Sequence, residues 1–375
     1  MEAQVPFNDL SRLDASLKAK ISSRVAQIAV SGDYILGPEV AAFEAELSDF
    51  LQVDHCIGVA SGTDALILSL LALGIGPGDT VLTMANAGSY TTLASKAIGS
   101  EPIFIDVAPD SLQMTIQELQ RSIGLANRAG LKPKAVVVTH LFGQLNIQIE
   151  QIAKMAKESG LYLVEDCAQA LGASLNGRMA GSFGDLATFS FYPTKNLGAA
   201  GDGGAIVGNH QDLMLKVRKL GQYGWSKKYK VDLPGGRNSR LDEIQAAILR
   251  LKLPYLRVWN ERRKAIFQRY VQSAGSNTEF FSQPDETYVA HLAPIAVANL
   301  KQKELSDHFA GFGVQTSIHF PVPDNHQEID LLHSALTPLP VTELYCASLV
   351  TLPIFPEMTE TEIFRVCEAL SMIEV

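Results

Sequence analysis

Two residues of this chain carry side chains suited to chemistry on an aldehyde-bearing cofactor. Lys195 follows an aromatic and β-branched run at 187–192 and precedes the glycine-rich turn 198–204, and Asp166 follows the apolar run 161–164. A lysine amine forms a Schiff base with an aldehyde, and a carboxylate keeps a pyridine nitrogen protonated. Either residue alone would pass for an ordinary loop residue. Together they predict a pyridoxal 5'-phosphate (PLP) site with Lys195 as the catalytic residue.

A second group of residues has the features of a phosphate site. The segment Ser61-Gly62-Thr63-Asp64 joins a predicted strand to a predicted helix, and backbone N–H groups at a helix N-terminus bind phosphate. Gly62 permits close approach of a ligand, while Thr63 and Ser190 add hydroxyl groups. Taken by itself, the segment is equally compatible with a simple helix cap formed by Ser61 or Thr63.

Four further residues are candidates for contacts with the cofactor ring or the substrate. Gln169 follows the aspartate by three residues and either reaches a ring hydroxyl or faces solvent. Tyr90 either stacks on the ring or packs in the core. Tyr192 and His319 are candidates for substrate contacts, and a structural role of the histidine is an alternative. Glu165 is assigned a structural role.

These candidates belong to an alternation of strands and helices. Apolar and β-branched runs predict strands at 56–60, 80–85, 102–107, 135–141, 161–165, 187–192 and 204–207. Continuous apolar strands are typical of a parallel sheet that is covered on both faces. We therefore expect an α/β fold, with a mostly parallel central sheet sandwiched by helices and a site at the carboxyl ends of its strands.

The chain after residue 208 has a different pattern. It predicts helices at 211–220, 241–252, 256–274, 303–312 and 359–373, of which the third is long and charged, and strands at 288–297 and 315–320. Pro254 interrupts the helical pattern just before the third helix. We expect a large cofactor-binding domain with an N-terminal helical segment at 1–254, and a smaller α+β C-terminal domain at 255–375.

Composition disfavours several classes of protein. The 375 residues include 31 Lys and Arg against 40 Asp and Glu, and the net charge of −9 argues against binding to nucleic acid or to an anionic membrane. The four cysteines are far apart, so neither a disulfide framework nor a metal site is expected. The N-terminus lacks the pattern of a signal peptide, which predicts a cytoplasmic protein. A dehydrogenase is disfavoured because its glycine-rich nucleotide loop is missing.

Several segments together resemble the DegT/DnrJ/EryC1/StrS family of PLP-dependent nucleotide-sugar aminotransferases. The resemblance runs nearly from end to end and is carried by residues 6–10, 31–40, 61–66, 165–169, 189–198 and 238–247. The last segment, Asn-Ser-Arg-Leu-Asp-Glu-Ile-Gln-Ala-Ala, is the most specific. The resemblance implies a fold type I PLP-dependent transferase, similar to aspartate aminotransferase, that works as a homodimer with its active sites at the interface.

The resemblance also implies a role for each candidate residue. It gives Lys195 the Schiff base, Asp166 the pyridinium nitrogen, Gln169 the ring hydroxyl, Gly62, Thr63 and Ser190 the phosphate, and Tyr90 the stacking contact. Asn238 would reach across the dimer interface to the cofactor phosphate of the other subunit.

The resemblance implies that the substrate is a nucleotide-linked keto-6-deoxyhexose. An amino acid, L-glutamate in our hypothesis, would donate the amino group. Segments 35–40 and 140–144 look more like the C-3 aminating members, which favours a dTDP-3-keto-6-deoxyhexose and a 3-amino sugar. C-4 amination and a non-catalytic, PLP-binding regulatory protein are the alternatives. A related sugar dehydratase is disfavoured because those relatives carry histidine at the position of Lys195.

Overall fold

The computed structural model describes residues 4–332 and 336–373, so the outermost residues of the predicted domains, Met1 and Val375, lie outside it. In chain order the strands are β1 (His55–Val59), β2 (Thr80–Met84), β3 (Glu101–Ile105), β4 (Pro133–Thr139), β5 (Tyr162–Asp166), β6 (Ser174–Leu175), β7 (Arg178–Met179), β8 (Leu186–Ser190), β9 (Gly204–Gly208), β10 (Trp225–Lys227), β11 (Lys230–Val231), β12 (Thr278–Phe280), β13 (Ala293–Val297) and β14 (Val350–Leu352).

The helices alternate with these strands. They are α1 (Ala15–Ser31), α2 (Pro38–Leu51), α3 (Gly62–Ala72), α4 (Tyr90–Ala97), α5 (Ile116–Arg128), α6 (Ile149–Glu158), α7 (Gln211–Leu220), α8 (Glu243–Lys252), α9 (Leu256–Ser273), α10 (Gln302–Gly311), α11 (Pro340–Cys346) and α12 (Glu360–Ser371). Within the described ranges, none of them combines the length and the apolar character that a membrane span requires.

Seven strands form the central sheet, in the order β1-β9-β8-β5-β4-β2-β3. Every neighbouring pair from β8 to β3 is parallel, whereas β9 is antiparallel to both of its neighbours. All seven strands were predicted from the sequence, each to within two residues at either end. The prediction of an α/β fold with a mostly parallel sheet is therefore confirmed.

Alternate residues of each strand face two different helical layers. On β4, Val136 and Val138 pack in the apolar cluster that includes residues of α2, α5 and α6. Ala135 and Val137 pack in the cluster that includes residues of α3, α4 and α7. Because successive strand side chains point to opposite faces, both faces of the sheet are buried, which explains why these strands are apolar throughout.

The C-terminal part has a sheet of its own, but two of its predicted strands differ from the structure. The antiparallel sheet has the order β12-β13-β14. The strand predicted at 288–297 begins only at Ala293, because the N–H groups of Val289 and Leu292 donate to the loop 142–143 instead. The strand predicted at 315–320 is wrong. Its residues form one bridge only, between Ser317 and Thr351, and Phe320 ends the extended conformation with a φ of 56°.

A second apolar cluster supports the division of the chain that the sequence suggested. It consists of residues from Ile266 onward together with Val5. Pro254 lies in a single 3₁₀ turn between α8 and α9. The boundary between residues 254 and 255 stays a prediction.

A buried carboxylate joins the N-terminal helices to the large unit. Glu243, at the start of α8, is 1 % exposed and accepts hydrogen bonds from the backbone N–H groups of Gly37 (2.9 Å), Glu39 (2.8 Å) and Val40 (2.9 Å). These groups belong to the N-terminus of α2, where backbone donors have no partner within the helix. The negative charge also suits the positive end of the helix dipole.

Replacing Glu243 by alanine should loosen the start of α2. The three N–H groups would lose a charged acceptor in a buried position, so we expect the free energy of local opening to fall by about 2 to 3 kcal/mol. Hydrogen–deuterium exchange of the segment 37–51 measures this loss. Glu46→Ala is the matched control. Glu46 is also on α2, but its side chain is 40 % exposed and its ion pair with Arg250 contributes little to stability. Equal exchange in the two variants would contradict the assigned role.

Candidate active site

The carboxyl ends of the central strands open into a cavity of about 490 Å³. The strand register places Thr139 of β4, Asp166 of β5 and Thr188 of β8 side by side. The predicted residues that line the cavity are Gly62, Thr63, Tyr90, Asp166, Gln169, Ser190, Tyr192, Lys195 and His319. The structure therefore brings together every candidate residue except Asn238.

Lys195 lies in the turn that follows β8. Its backbone N–H donates to the Tyr192 carbonyl oxygen (2.8 Å), while its Nζ has no hydrogen-bond partner among residues 4–332 and 336–373. Burial lowers the pKa of Lys195 from 10.5 to about 8, and the negative charge of Asp166 opposes this shift. Because only the neutral amine is nucleophilic, burial increases the reactive fraction near neutral pH.

Asp166 is the last residue of β5 and is buried. Its side chain accepts hydrogen bonds from the Ala168 N–H (3.1 Å) and the Thr139 hydroxyl (3.4 Å). Burial raises the pKa of Asp166, whereas the Ala168 N–H and the charge of Lys195 act in the opposite direction. A buried carboxylate of this kind is stabilised by a cationic partner in the cavity.

The N-terminus of α3 forms one wall of the cavity. The Ser61 hydroxyl caps this helix by accepting from the Asp64 N–H (3.1 Å), so of the two possible caps the structure selects Ser61. The N–H groups of Gly62 and Thr63 then remain at the helix end without an intrahelical partner. A Cβ at Gly62 would lie 2.8 Å from the Ser190 Cβ, so only glycine lets the helix approach this hydroxyl-bearing strand end.

Gln169 is buried, so the alternative of a solvent-facing side chain is wrong. Its Oε1 accepts the backbone N–H of Phe142 (2.5 Å). Phe142 and Gly143 have φ values of 61° and 93°, and this left-handed bend directs the N–H toward the glutamine. The contact fixes the orientation of the amide and leaves Nε2 as a free donor within the part of the chain described.

Tyr90 is 47 % exposed, so the alternative of core packing is wrong. It is the first residue of α4, and this end of α4 is held by the buried carboxylate of Asp324. Asp324 accepts hydrogen bonds from the Ser89 N–H and hydroxyl (3.0 Å each) and from the Thr92 hydroxyl. Burial raises the pKa of Asp324 to about 6. Nothing in the sequence pointed to this distant residue.

His319 and Tyr192, the predicted substrate contacts, also line the cavity. The His319 Nδ1 lies 2.9 Å from the Thr351 hydroxyl oxygen. Burial lowers the pKa of His319 to about 4, and the charge of Lys195 acts in the same direction, so the ring is neutral at pH 7. Tyr192 is 53 % exposed and free to contact a ligand.

A buried network behind Lys195 was not found from the sequence. The Asn196 side-chain nitrogen donates to Asn260 Oδ1 (2.8 Å) and to the Val289 carbonyl oxygen (3.0 Å). The Asn196 Oδ1 lies 2.9 Å from His291 Nδ1. The residue next to Lys195 is thus connected to α9. The contacts join residues far apart in the sequence, which is why no local pattern indicated them.

Glu165 and His140 form a second buried group beside the site. Glu165 accepts hydrogen bonds from the N–H groups of Gly181 (2.9 Å), Phe183 (2.6 Å) and Gly184 (2.7 Å) and lies 3.0 Å from His140 Nε2. The His140 Nδ1 accepts the Asn146 N–H (3.1 Å), so the ring proton resides on Nε2. Although Cys167 lies near both side chains, hydrogen bonding explains the arrangement without a metal ion.

Asn238 lies outside the cavity of its own chain. Its side chain is exposed, and its backbone forms a single bridge with Gln222. The predicted contact with a cofactor phosphate would therefore require a second subunit, and it stays a prediction.

The cavity fits PLP by the chemistry of its groups. Lys195 offers an amine, and Asp166 offers a buried carboxylate with no ion-pair partner among the described residues. The N-terminus of α3 offers backbone donors beside the Ser190 hydroxyl. An aldehyde, a protonated ring nitrogen and a phosphate are the complements of these three groups. Their convergence on one cavity supports the predicted cofactor.

Comparison with known proteins gives a consistent result. Residues 15–371 match the DegT/DnrJ/EryC1/StrS aminotransferase family. The chain is 36 % identical over 374 residues to a dTDP-3-amino-3,4,6-trideoxy-alpha-D-glucose transaminase of Streptomyces venezuelae, covering 98 % of this chain and 95 % of the relative. It is 37 % identical to a UDP-N-acetyl-3-dehydro-alpha-D-glucosamine 3-aminotransferase of Acidithiobacillus ferrooxidans, covering 98 % and 97 %.

A solved structure resembles this fold and contains a cofactor. The Bacillus subtilis protein NtdA, with bound cofactor PMP, has a TM-score of 0.89 and 30 % identity, over 99 % of this chain and 85 % of that chain.

The pKa of Lys195 can be measured on cofactor-free protein. Acetylation of Lys195 by acetic anhydride, followed by mass spectrometry, should reach half its maximal rate near pH 8. Asp166→Asn should move this midpoint to lower pH, because the substitution removes the negative charge that raises the pKa of the lysine. Lys303, whose ammonium is paired with Asp307, is the internal control. A midpoint for Lys195 near that of an ordinary lysine would contradict the desolvated environment.

Proposed function

Since this chain belongs to the DegT/DnrJ/EryC1/StrS aminotransferase family, we propose that it transfers an amino group from L-glutamate to C-3 of a dTDP-linked 3-keto-6-deoxyhexose. Membership of this family establishes that the protein is a PLP-dependent aminotransferase of nucleotide-linked keto-sugars. The carbon that is aminated, the nucleotide and the amino donor are what we propose.

One observation of the structure carries the assignment. Lys195 and Asp166 come from segments that end at neighbouring strands and face the same cavity, where burial lowers the pKa of the lysine and raises that of the aspartate. An amine that is partly neutral at pH 7 and a carboxylate that needs a cationic partner suit the two ends of a PLP ring.

The chemistry that PLP supplies when bound is an electron sink for the pair left behind when a proton leaves the donor α-carbon. Asp166 would hold the ring nitrogen, Gln169 the ring hydroxyl, and Tyr90 would cover the ring. Gly62, Thr63 and Ser190 would hold the phosphate. Lys195 would accept the proton from the donor α-carbon as a general base and, as a general acid, would deliver it to the cofactor carbon that carried the aldehyde. His319 and Tyr192 are our candidates for the sugar.

The names of two relatives support amination at C-3. Both the Streptomyces venezuelae and the Acidithiobacillus ferrooxidans proteins are named for 3-amino or 3-aminotransferase chemistry, on dTDP- and UDP-linked sugars respectively. The names of the two relatives therefore agree that C-3 is aminated but differ in the nucleotide. C-4 amination is the outcome that product analysis would have to exclude.

A homodimer with shared sites would give Asn238 the role that the family resemblance implies. This exposed side chain lies outside the cavity of its own chain, so a cofactor contact would need a second copy. We propose that each cavity is completed by the Asn238 of the other subunit.

Glutamate should convert the cofactor on this protein. In protein reconstituted with PLP, the visible absorbance of the lysine-linked cofactor should disappear when L-glutamate is added and return when the keto-sugar follows. The sugar product, analysed by NMR, should carry nitrogen at C-3. Nitrogen at C-4 would contradict the proposed position, and an absorbance that no amino acid changes would contradict the transferase.

Lys195→Ala should remove the general base without removing the cavity. Transamination should fall by at least about a thousandfold, because general acid–base catalysis contributes on that order. PLP should still bind noncovalently, which equilibrium dialysis measures. Lys252→Ala is the control for loss of a nearby lysine. Lys252 is partly buried, and its Nζ donates to the Gly198 carbonyl oxygen outside the cavity. Substantial transamination by Lys195→Ala would overturn the assignment.

Subunit mixing tests the shared site. Lys195→Ala and Asn238→Ala homodimers should each be impaired at limiting PLP, but a hybrid of the two has one site with both residues intact. Mixed and refolded subunits should therefore regain activity. Mixing Lys195→Ala with the double variant Lys195→Ala/Asn238→Ala is the control, since no hybrid then has an intact site. No recovery in the first mixture would argue against a contribution from the other subunit.

A further inference from the structure

Arg263 is a buried cation that faces the cavity and has no counter-ion among the described residues. It lies on α9, is 6 % exposed and lines the cavity with Lys195 and His319. Its Nη1 donates to the Ile354 carbonyl oxygen (2.5 Å), while its buried Nε has no acceptor. Within residues 4–332 and 336–373, no carboxylate lies within ion-pair distance of its guanidinium.

The environment of Arg263 is unfavourable for a charged group that remains alone. Burial lowers the pKa of Arg263 to about 10, and the more distant charge of Glu357 offsets this only in part. A buried charge is costly unless it is paired and hydrogen-bonded. The two acids that line the cavity, Asp166 and Asp202, do not supply the pair. An anion that enters the cavity would supply both the charge and the missing acceptor.

Arg263 lies near the reactive lysine. Asn260, one helical turn earlier on α9, is hydrogen-bonded to Asn196, the residue that follows Lys195. The pKa of the buried His291 is lowered by burial and by the positive charges of both Lys195 and Arg263, so both cations lie close to this one neutral ring. The unpaired guanidinium and the reactive amine therefore belong to the same region of the cavity.

We propose that Arg263 binds the α-carboxylate of the amino donor. This inference rests on the proposed function and names a substrate contact that it leaves open. In an amino acid the α-carboxylate is bonded to the carbon whose proton Lys195 removes, so the anion must lie close to the lysine. In a nucleotide-linked 3-keto-sugar, ring atoms separate C-3 from the diphosphate. A cation that binds the diphosphate would therefore lie farther from Lys195 than Arg263 does. The planar guanidinium also matches a carboxylate in geometry.

Two donors that differ only in the α-carboxylate test the contact. L-Glutamate and 4-aminobutyrate should both be titrated into the PLP-loaded protein while the cofactor absorbance is followed in a single half-reaction. Arg263→Gln should raise the half-saturating glutamate concentration about 10- to 100-fold, the cost of a lost charged hydrogen bond, and leave the response to 4-aminobutyrate unchanged. Arg263→Lys, which keeps the charge, should lie between wild type and Arg263→Gln.

Arg262→Gln is the matched control on the same helix. Arg262 donates to Glu360 at the surface and does not line the cavity, so both donors should behave as in wild type. The thermal unfolding midpoint of each variant separates a local effect from a loss of folding. If Arg263→Gln weakens both donors equally, Arg263 is a structural residue that supports Ile354 and the proposal is wrong.

A binding measurement separates this proposal from the proposed function. Isothermal titration calorimetry with glutarate, an unreactive dicarboxylate, and with dTDP reports on the anion site whether or not the protein turns over. Glutarate should bind wild type and bind Arg263→Gln about 10- to 100-fold more weakly, with dTDP unaffected. Equal glutarate affinities would overturn the carboxylate site, and selective loss of dTDP would assign Arg263 to the nucleotide. If no amino acid changes the cofactor absorbance of the wild-type protein, the result would instead contradict the proposed aminotransferase function.

Discussion

The buried carboxylate of Glu165 is the interaction on which the geometry of the site depends. It accepts three backbone N–H groups from the turn 181–184 and faces the protonated nitrogen of His140. These contacts fix the end of β5 against the end of β4 and against the turn that leads into β8. Because successive strand residues point to opposite faces, the neighbouring Asp166 is directed into the cavity. Glu165 therefore fixes the backbone at the strand ends, and Asp166 faces the cavity in which the cofactor is expected.

The cavity is assembled by both parts of the chain. The central sheet supplies Asp166, Ser190 and Lys195, whereas Asp324 and Arg263 come from the C-terminal region. Each of the last two is a buried charge whose position depends on how that region packs against the sheet. A relative movement of the two parts would therefore change the distance between Lys195 and the residues proposed to contact the substrate.

Local sequence patterns were sufficient for the large sheet but not for the small one. Strands such as β2 and β4 are continuous apolar runs, because both of their faces are covered by helices. The segment 315–320 is less apolar and forms a single bridge, between Ser317 and Thr351. Phe320 then ends the extended conformation with a φ of 56°. Residues 288–292 also do not form a strand, because the N–H groups of Val289 and Leu292 donate to carbonyl groups of the sequence-distant loop 142–143.

The sequence by itself determined the order of elements, the positions of Lys195 and Asp166 at strand ends, and the family to which these residues belong, because each depends on local composition and spacing. Only the tertiary structure decided that Gln169 is buried, that Tyr90 is exposed, and that Arg263 lines the same cavity as the lysine with no counter-ion in the part of the chain described. Burial and charge pairing arise from contacts between residues far apart in the chain, and no local pattern encodes which of them meet.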